Sequence, residues 1–417
     1  MPRLSTAAAL GTLVLAAAPG WYAASAAGSD EQKFSQIEHG RYLATLADCT
    51  ACHTKKDGAK PFAGGRPIET PFGMIVSANI TPDRETGIGN WTDEQFDNAV
   101  RHGKRPDGSR LYPAMPYTAY TKMSRDDVKA IRAYLATIEP VQNRVVTNQL
   151  PFPLNIRLNM QLWDALFFRD GEFKPDSNKS PEWNRGAFLV MGPGHCGACH
   201  TPKNFLGADK RSERLQGGQV QGWFAPDITN DQTHGLGRMS VDDVVALLKT
   251  GHNQVATVTG PMAEEVEDAS AHFRDSDLKA IATYLKSLPG TDAQDTPLDP
   301  SNPSMVAGQA IYRDTCSACH GLDGKGVPNL FPALAKAPSV RSKDATSAIR
   351  VILRGARSVA TQAEPTAPAM PSFGWQLKDD QIAAVVTYIR NSWGTAAPGV
   401  AADEVGKQRA KLAQRSE

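Results

Sequence analysis

The chain has 417 residues, long for one domain and comfortable for three. Its 45 Lys and Arg against 44 Asp and Glu leave a formal net charge of +1, which argues against a nucleic-acid or strongly acidic partner. Aromatic residues make up only 7%, thin for three independent cores, while 35 Gly and 29 Pro suit short helices joined by tightly turned loops.

The chain opens on Met1-Pro2-Arg3, a short basic start, followed by an apolar run from Ala7 to Ala18. Ala24-Ser25-Ala26 and Ser25-Ala26-Ala27 both offer small residues for cleavage. The run falls short of the about 20 residues that span a bilayer. It reads as the core of a secretory signal peptide over 1–27. No later stretch is apolar enough to span a bilayer, so the exported chain is expected to be soluble or peripheral.

Residues 34–140 form a first repeat. A helix from Ile37 to Leu46 leads into Cys49-Thr50-Ala51-Cys52-His53. This is C-x-x-C-H, the attachment signature of c-type haem. Two residues between the cysteines let one helical turn reach both edge substituents of the porphyrin, and the next residue aims its imidazole at the iron. A Gly- and Pro-rich loop, Lys55 to Gly73, precedes Asn79-Ile80-Thr81-Pro82-Asp83 and Gly87-Ile88-Gly89-Asn90-Trp91. Thr92 with Gln95 predicts a capping box on a helix to about His102, with Gly103 closing it in the left-handed conformation. After Tyr112-Pro113-Ala114-Met115-Pro116, Ser124 caps a helix on which Val128, Ile131, Leu135 and Ile138 share a face.

A connecting segment, 141–182, lies outside any repeat. Pro151 and Pro153 make its start extended, and Leu158, Leu162 and Leu166 fall at i, i+4, i+8 beside Trp163, Phe167 and Phe168. Two readings of this short amphipathic helix stand: it packs between domains, or it is a docking surface for a partner subunit or the membrane interface.

The second repeat, 183–290, copies the first. Cys196-Gly197-Ala198-Cys199-His200 is its haem motif. Asp227-Ile228-Thr229 and Gly235-Leu236-Gly237 each follow their first-repeat counterparts by 148 residues, a constant offset that marks duplication. Ser240 with Asp243 replaces Thr92 with Gln95, and a closing helix runs from Ser276 to Leu288. After a linker at 291–302, the third repeat, 303–394, carries Cys316-Ser317-Ala318-Cys319-His320, a helix Thr346 to Leu353 ending at Gly355, and a closing helix Gln381 to Trp393. Gly40, Gly186 and Gly308 precede the three motifs at similar places and suit a close crossing of first and last helices. The remainder, 395–417, rich in Ala, Gly and charge, is expected to be disordered. The expected fold is all-α: three tandem class I cytochrome c domains.

All six cysteines of the chain lie in these motifs, and the motifs stand more than a hundred residues apart. A zinc site would want its cysteine pairs close together. Three covalently bound haem c groups are expected, held by Cys49, Cys52, Cys196, Cys199, Cys316 and Cys319, with His53, His200 and His320 on the irons. Methionine in the sixth position favours electron transfer, and an open position favours chemistry. Met115 follows His53 by 62 residues, Met262 follows His200 by 62, and Met370 follows His320 by 50, each beside a proline. These three are the candidate second ligands. Met74, Met123 and Met239 are competing sulfurs off that pattern, and His102, His252 and His272 are bis-histidine alternatives that do not recur in every repeat.

Asn79-Ile80-Thr81-Pro82-Asp83 through Trp91-Thr92, Tyr112-Pro113-Ala114-Met115-Pro116-Tyr117 and Pro151-Phe152-Pro153-Leu154-Asn155-Ile156-Arg157 resemble the three-haem cytochrome c subunits of membrane-bound periplasmic dehydrogenases acting on alcohols, gluconate, fructose, sorbitol or aldehydes. The resemblance covers nearly all of the chain after the leader. It implies a catalytic dehydrogenase partner of flavin, quinone-cofactor or molybdenum type. It also implies ubiquinone or a terminal oxidase as acceptor, and a place in the periplasm at the outer face of the cytoplasmic membrane with peripheral membrane association. The sequence has no P-loop and no stretch long enough for a flavin, quinone-cofactor or molybdenum domain, and Gly192-Pro193-Gly194-His195-Cys196-Gly197, its G-x-G-x-x-G, runs into the second haem motif. The expected role is electron relay, with no catalytic residues of its own. The alternatives are a self-contained, peroxidase-like haem oxidoreductase and a free-standing soluble carrier.

Overall fold

Helix α1, Gly20–Leu46, leads into the first motif, which forms a single short helix, α2, Cys49–His53. The computed structural model describes Met1 and residues 20–56, 58–146, 148–291, 295–328, 330–335 and 337–415. The apolar leader core, Ala7 to Ala18, lies outside the described residues. The helix expected from Ile37 begins instead at Gly20, so it is continuous with residues 20–27 of the expected leader.

The loop after the first motif is partly a ladder. Strand β1, Pro67–Thr70, pairs antiparallel with β2, Gly73–Val76. Gly73 takes φ 128°, which lets a two-residue turn close the hairpin. Helix α3, Asp93–His102, starts from the capping box of Thr92 and Gln95 and ends at Gly103 with φ 61°. Helix α4, Tyr117–Tyr120, is one turn, and α5, Arg125–Leu135, is capped by Ser124 and Asp127. Strand β3, Asn148–Gln149, adds to β2, and α6 spans Asn159–Phe167.

The second repeat uses α7, Pro181–Met191, and α8, Gly197–His200, then the hairpin of β4, Gln216–Val220, and β5, Trp223–Asp227. Helix α9, Val241–Thr250, has its own capping box from Ser240 and Asp243. Helices α10, Pro261–Asp268, and α11, Asp275–Ser287, complete the repeat. The third repeat runs through α12, Pro303–Ile311, a π-helical turn Tyr312–Cys316, α13, Ser317–His320, α14, Pro338–Arg341, and α15, Thr346–Arg354. Strands β6, Ala356–Arg357, and β7, Ala369–Met370, pair before α16, Asp379–Arg390.

Three helix pairs organise this order: α1 on α5, α7 on α11, and α12 on α16. Each crossing is made at a glycine. A Cβ on Gly40 would collide with the Ala130 carbonyl, on Gly186 with that of Ala280, and on Gly308 with that of Ala384. Only glycine admits backbones that close. The first two pairs share one continuous apolar core, holding Leu43, Ile131, Leu189 and Leu278, whereas the third pair has its own around Ile349, Ile382 and Val386.

Two expectations change. The chain is largely helical but not all-α, because the loops after the first two motifs and before the last helix close as short antiparallel ladders. The segment 395–417 is also not disordered where it is described. Helix α17, Ala402–Ala413, buries Val405 and Leu412 against the third core. Its apolar residues stand a heptad apart, too sparse a stripe to register in an Ala- and charge-rich tail. Contacts of single side chains finish the docking: Arg409 bonds Asp379 at 2.8 Å, and Arg415 bonds Glu69 at 2.7 Å.

Candidate haem-binding sites

Each motif is one helical turn, with the histidine at its end and the backbone downstream returning to meet it. The Nδ1 of His53 lies 2.7 Å from the Ala78 carbonyl oxygen, that of His200 2.7 Å from Pro226, and that of His320 3.0 Å from Pro332. A carbonyl only accepts, so Nδ1 carries the proton in all three and Nε2 keeps its lone pair. Burial holds each imidazole below its ordinary pKa and therefore neutral. A neutral ring with Nδ1–H pinned to a carbonyl is the form that ligates a metal through Nε2.

The residues that supply these carbonyls are the functional positions that sequence reasoning missed. The repeated Asn79-Ile80-Thr81 and Asp227-Ile228-Thr229 were a usable signal. Asn79 Oδ1 accepts from the Thr81 amide at 2.9 Å and hydroxyl at 2.7 Å; Asp227 Oδ1 accepts from both Thr229 donors at 2.7 Å. Each is an Asx turn placed directly after the carbonyl that holds the histidine. In the third repeat the His320 carbonyl accepts from the Gly326 amide at 2.9 Å, as the His53 carbonyl accepts from the Gly64 amide at 2.7 Å in the first.

The thiols are unbridged. Burial pushes Cys49 and Cys196 up to about 12, and Cys52 and Cys316 up to about 11, so they stand as neutral thiols. Cys319 is the exposed member of the six. Among the described residues, no three His, Cys, Asp or Glu side chains converge into a metal-ion cage. Two thiols and one imidazole spread along a turn, beside an apolar core, fit a porphyrin edge and its iron.

The candidate sulfurs are not placed alike. Met115 packs against the core that also receives Cys49, and Met370 against the core that receives Cys316. Met262 stands instead in a separate cluster with Val258, Val266 and Val359. It occupies the first turn of α10 rather than a loop. Of the alternative histidines, His102 pairs with Asp170 at 3.2 Å, and His272 Nε2 bonds the Glu267 carbonyl. His252 Nε2 is buried without a hydrogen-bond partner among the described residues.

Helix α10 also leans on the first motif. Arg66 donates to the Ala51 carbonyl at 2.6 Å and to Glu264 at 2.5 Å, and Lys56 meets Glu264 at 2.6 Å. Deeper in this seam, burial and the neighbouring Glu265 carboxylate push Asp48 up to about 8, and burial pushes Glu265 up to about 7. On the far side, Tyr42 donates to Asp277 at 2.7 Å, and Arg185 grips the same carboxylate with two bonds of 2.8 Å.

Comparison with known proteins agrees with this chemistry. The family model described as cytochrome c matches residues 305–393, and that described as cytochrome c oxidase, cbb3-type, subunit III matches 35–135. The gluconate 2-dehydrogenase cytochrome c subunit of Pantoea cypripedii is 39% identical, the alignment covering 95% of this chain and 94% of the relative. The cytochrome c subunit of the alcohol dehydrogenase (quinone) of Gluconobacter oxydans is 40% identical over 95% of this chain and 87% of its own. The fructose dehydrogenase cytochrome subunit of Gluconobacter japonicus is 38% identical over 90% and 82%.

Proposed function

Because the chain belongs to the family of cytochrome c subunits of alcohol, gluconate and fructose dehydrogenases, we propose that it relays electrons from a catalytic dehydrogenase subunit to ubiquinone or a terminal oxidase. In this reading it is exported to the periplasm, sits at the outer face of the cytoplasmic membrane and carries haem c in three tandem class I cytochrome c domains. The observation that carries the reading is the threefold Nδ1-to-carbonyl bond, which leaves His53, His200 and His320 each with one ligating nitrogen.

Haem c supplies a one-electron couple; the protein's part is attachment, ligation and exclusion of water. Cys49 and Cys52, Cys196 and Cys199, and Cys316 and Cys319 would form the thioethers. The histidines would ligate on one side, and Met115, Met262 and Met370 on the other. Full ligation leaves no place for an exogenous ligand. Carbon monoxide is therefore expected not to bind the reduced holo-protein, and binding by all three haems would overturn a pure relay. Copurification with a large dehydrogenase chain, whose substrate then reduces the haems, tests the partner.

One observation favours a second reading for the second site alone. Met262 lies apart from the core that receives Cys196, and His252 offers a buried, unpartnered nitrogen. A peroxidase-like activity would use an open position there. Peroxide turnover lost in His200→Ala would establish it.

A further inference from the structure

Helix α6 has two faces of different fate. On one, Trp163 donates to the Leu206 carbonyl at 3.0 Å, and Asp164 accepts from the Tyr117 hydroxyl at 2.6 Å, so this face ties the first repeat to the second. On the other, Leu158, Leu162 and Leu166 are 66%, 67% and 52% exposed. In the turn just before the helix, Phe152, at 79%, and Leu154 and Ile156 are exposed as well. Solvated monomers rarely leave so many large apolar side chains together.

The charges around this surface say what covers it. Between Pro151 and Arg169 the charged residues are Arg157, Asp164 and Arg169. Asp164 is buried on the inner face, and the acids just past the helix are turned to the first repeat, Asp170 to Thr121 and His102 and Glu172 to Arg101, so the charge that accompanies the leucines along the helix is cationic. Arg157 and Arg169 bracket the helix, and Arg211 is drawn to its end by a 2.8 Å bond to the Phe167 carbonyl. Leucines on one face with arginines at the ends is the pattern of a helix lying in a bilayer interface, where long side chains reach the headgroups. The other exposed polar residues here include the neutral amides Asn155, Asn159 and Gln161.

We propose that the α6 leucine face and the Phe152–Ile156 turn dock on an anionic phospholipid surface. This deepens the membrane association in the proposed function by naming the face. It also sets the Met115 loop beside the lipid, because Tyr112 of that loop donates to the Leu154 carbonyl at 3.0 Å and lies under Arg157.

The test is cosedimentation of the full-length holo-protein with vesicles of phosphatidylethanolamine and phosphatidylglycerol. Wild type is expected to bind, and to bind more weakly when salt is raised or phosphatidylcholine replaces the anionic lipid. Leu162→Ser and Leu166→Ser should each cost about tenfold in vesicle affinity, and Arg169→Gln about fivefold. All three side chains are exposed, and an unchanged haem spectrum and melting temperature verify the fold. Failure of wild type to bind any of these vesicles overturns the proposal. So does wild-type vesicle binding by the leucine variants, with or without loss of dehydrogenase copurification; such a loss would assign the face to the partner subunit. Reduction of the soluble protein by ascorbate and reoxidation by a water-soluble quinone reads the relay separately, so failure to dock and failure to relay are distinct results.

Discussion

In the first repeat, Met115 sits in a loop held from outside: Tyr112 is bonded by Leu154 and by Asn148, and Tyr117 by Asp164. In the second, the same loop has become helix α10, which carries Met262 at its start and Glu264 toward Arg66 and Lys56 of the first repeat. The histidine side is unchanged between them, with the same Asx turn and the same 2.7 Å bond. Duplication has preserved the local hydrogen bonding that fixes the imidazole. The methionine side has diverged, because there each copy meets different neighbours: the first repeat has the connecting segment, and the second has the first motif and Val359 of the third repeat.

The largest expected effect tests what the copies share. Gly40→Val and Gly186→Val should each destabilise by about 3 kcal/mol or more, since a branched side chain cannot clear the facing carbonyl. Covalent haem per chain, counted by mass, should fall by one in either variant; an effect at one glycine only would break the equivalence.

Next come the sulfurs, where the copies differ. Met115→Ala in the reduced holo-protein should admit one equivalent of carbon monoxide and lower the potential of one haem. Met262→Ala should do the same at a second haem. An unchanged titration for Met262→Ala alone would take Met262 off that haem; wild type that already binds one equivalent would mean an open position, and wild type that binds none would point to His252.

The tie between the copies should matter less. Burial opposes the Asp277 charge, but Arg185 and Tyr42 outweigh it and hold the carboxyl below its ordinary range. Asp277→Asn should cost about 2 kcal/mol at pH 7, less than a fully buried pair because Arg185 is partly exposed. A depressed folded pKa gives stability that is present above the unfolded value of about 3.9 and lost as pH falls through the folded value. The gap in melting temperature between wild type and variant should therefore close below about pH 4.

The smallest effect is at the brace particular to the first copy. Tyr112→Phe removes the hydroxyl shared with Leu154 and Asn148 and should cost about 1 kcal/mol in chemical denaturation. It should leave the spectrum of haem attached at the second motif untouched.

Much of this was legible in the residues because it is local. C-x-x-C-H needs one turn, a capping box needs four residues, and the crossing glycines stand at similar places before each motif. Two features resisted for the opposite reason. Helix α17 is stabilised by a core it meets only after folding, through Val405 and Leu412 set too far apart to form a stripe. Met262 matches Met115 in spacing but not in surroundings, and spacing carries no information about which cluster a side chain joins.

By itself, the sequence determined the three motifs, the duplication, the helix caps and the family, since each depends on residues close in the chain or on a constant offset. The tertiary structure alone decided which carbonyl holds each histidine and which sulfur shares a core with its motif. It also divided the leucine helix into a packed face and an open one. Those outcomes depend on surfaces from distant segments meeting, and no local pattern encodes that meeting.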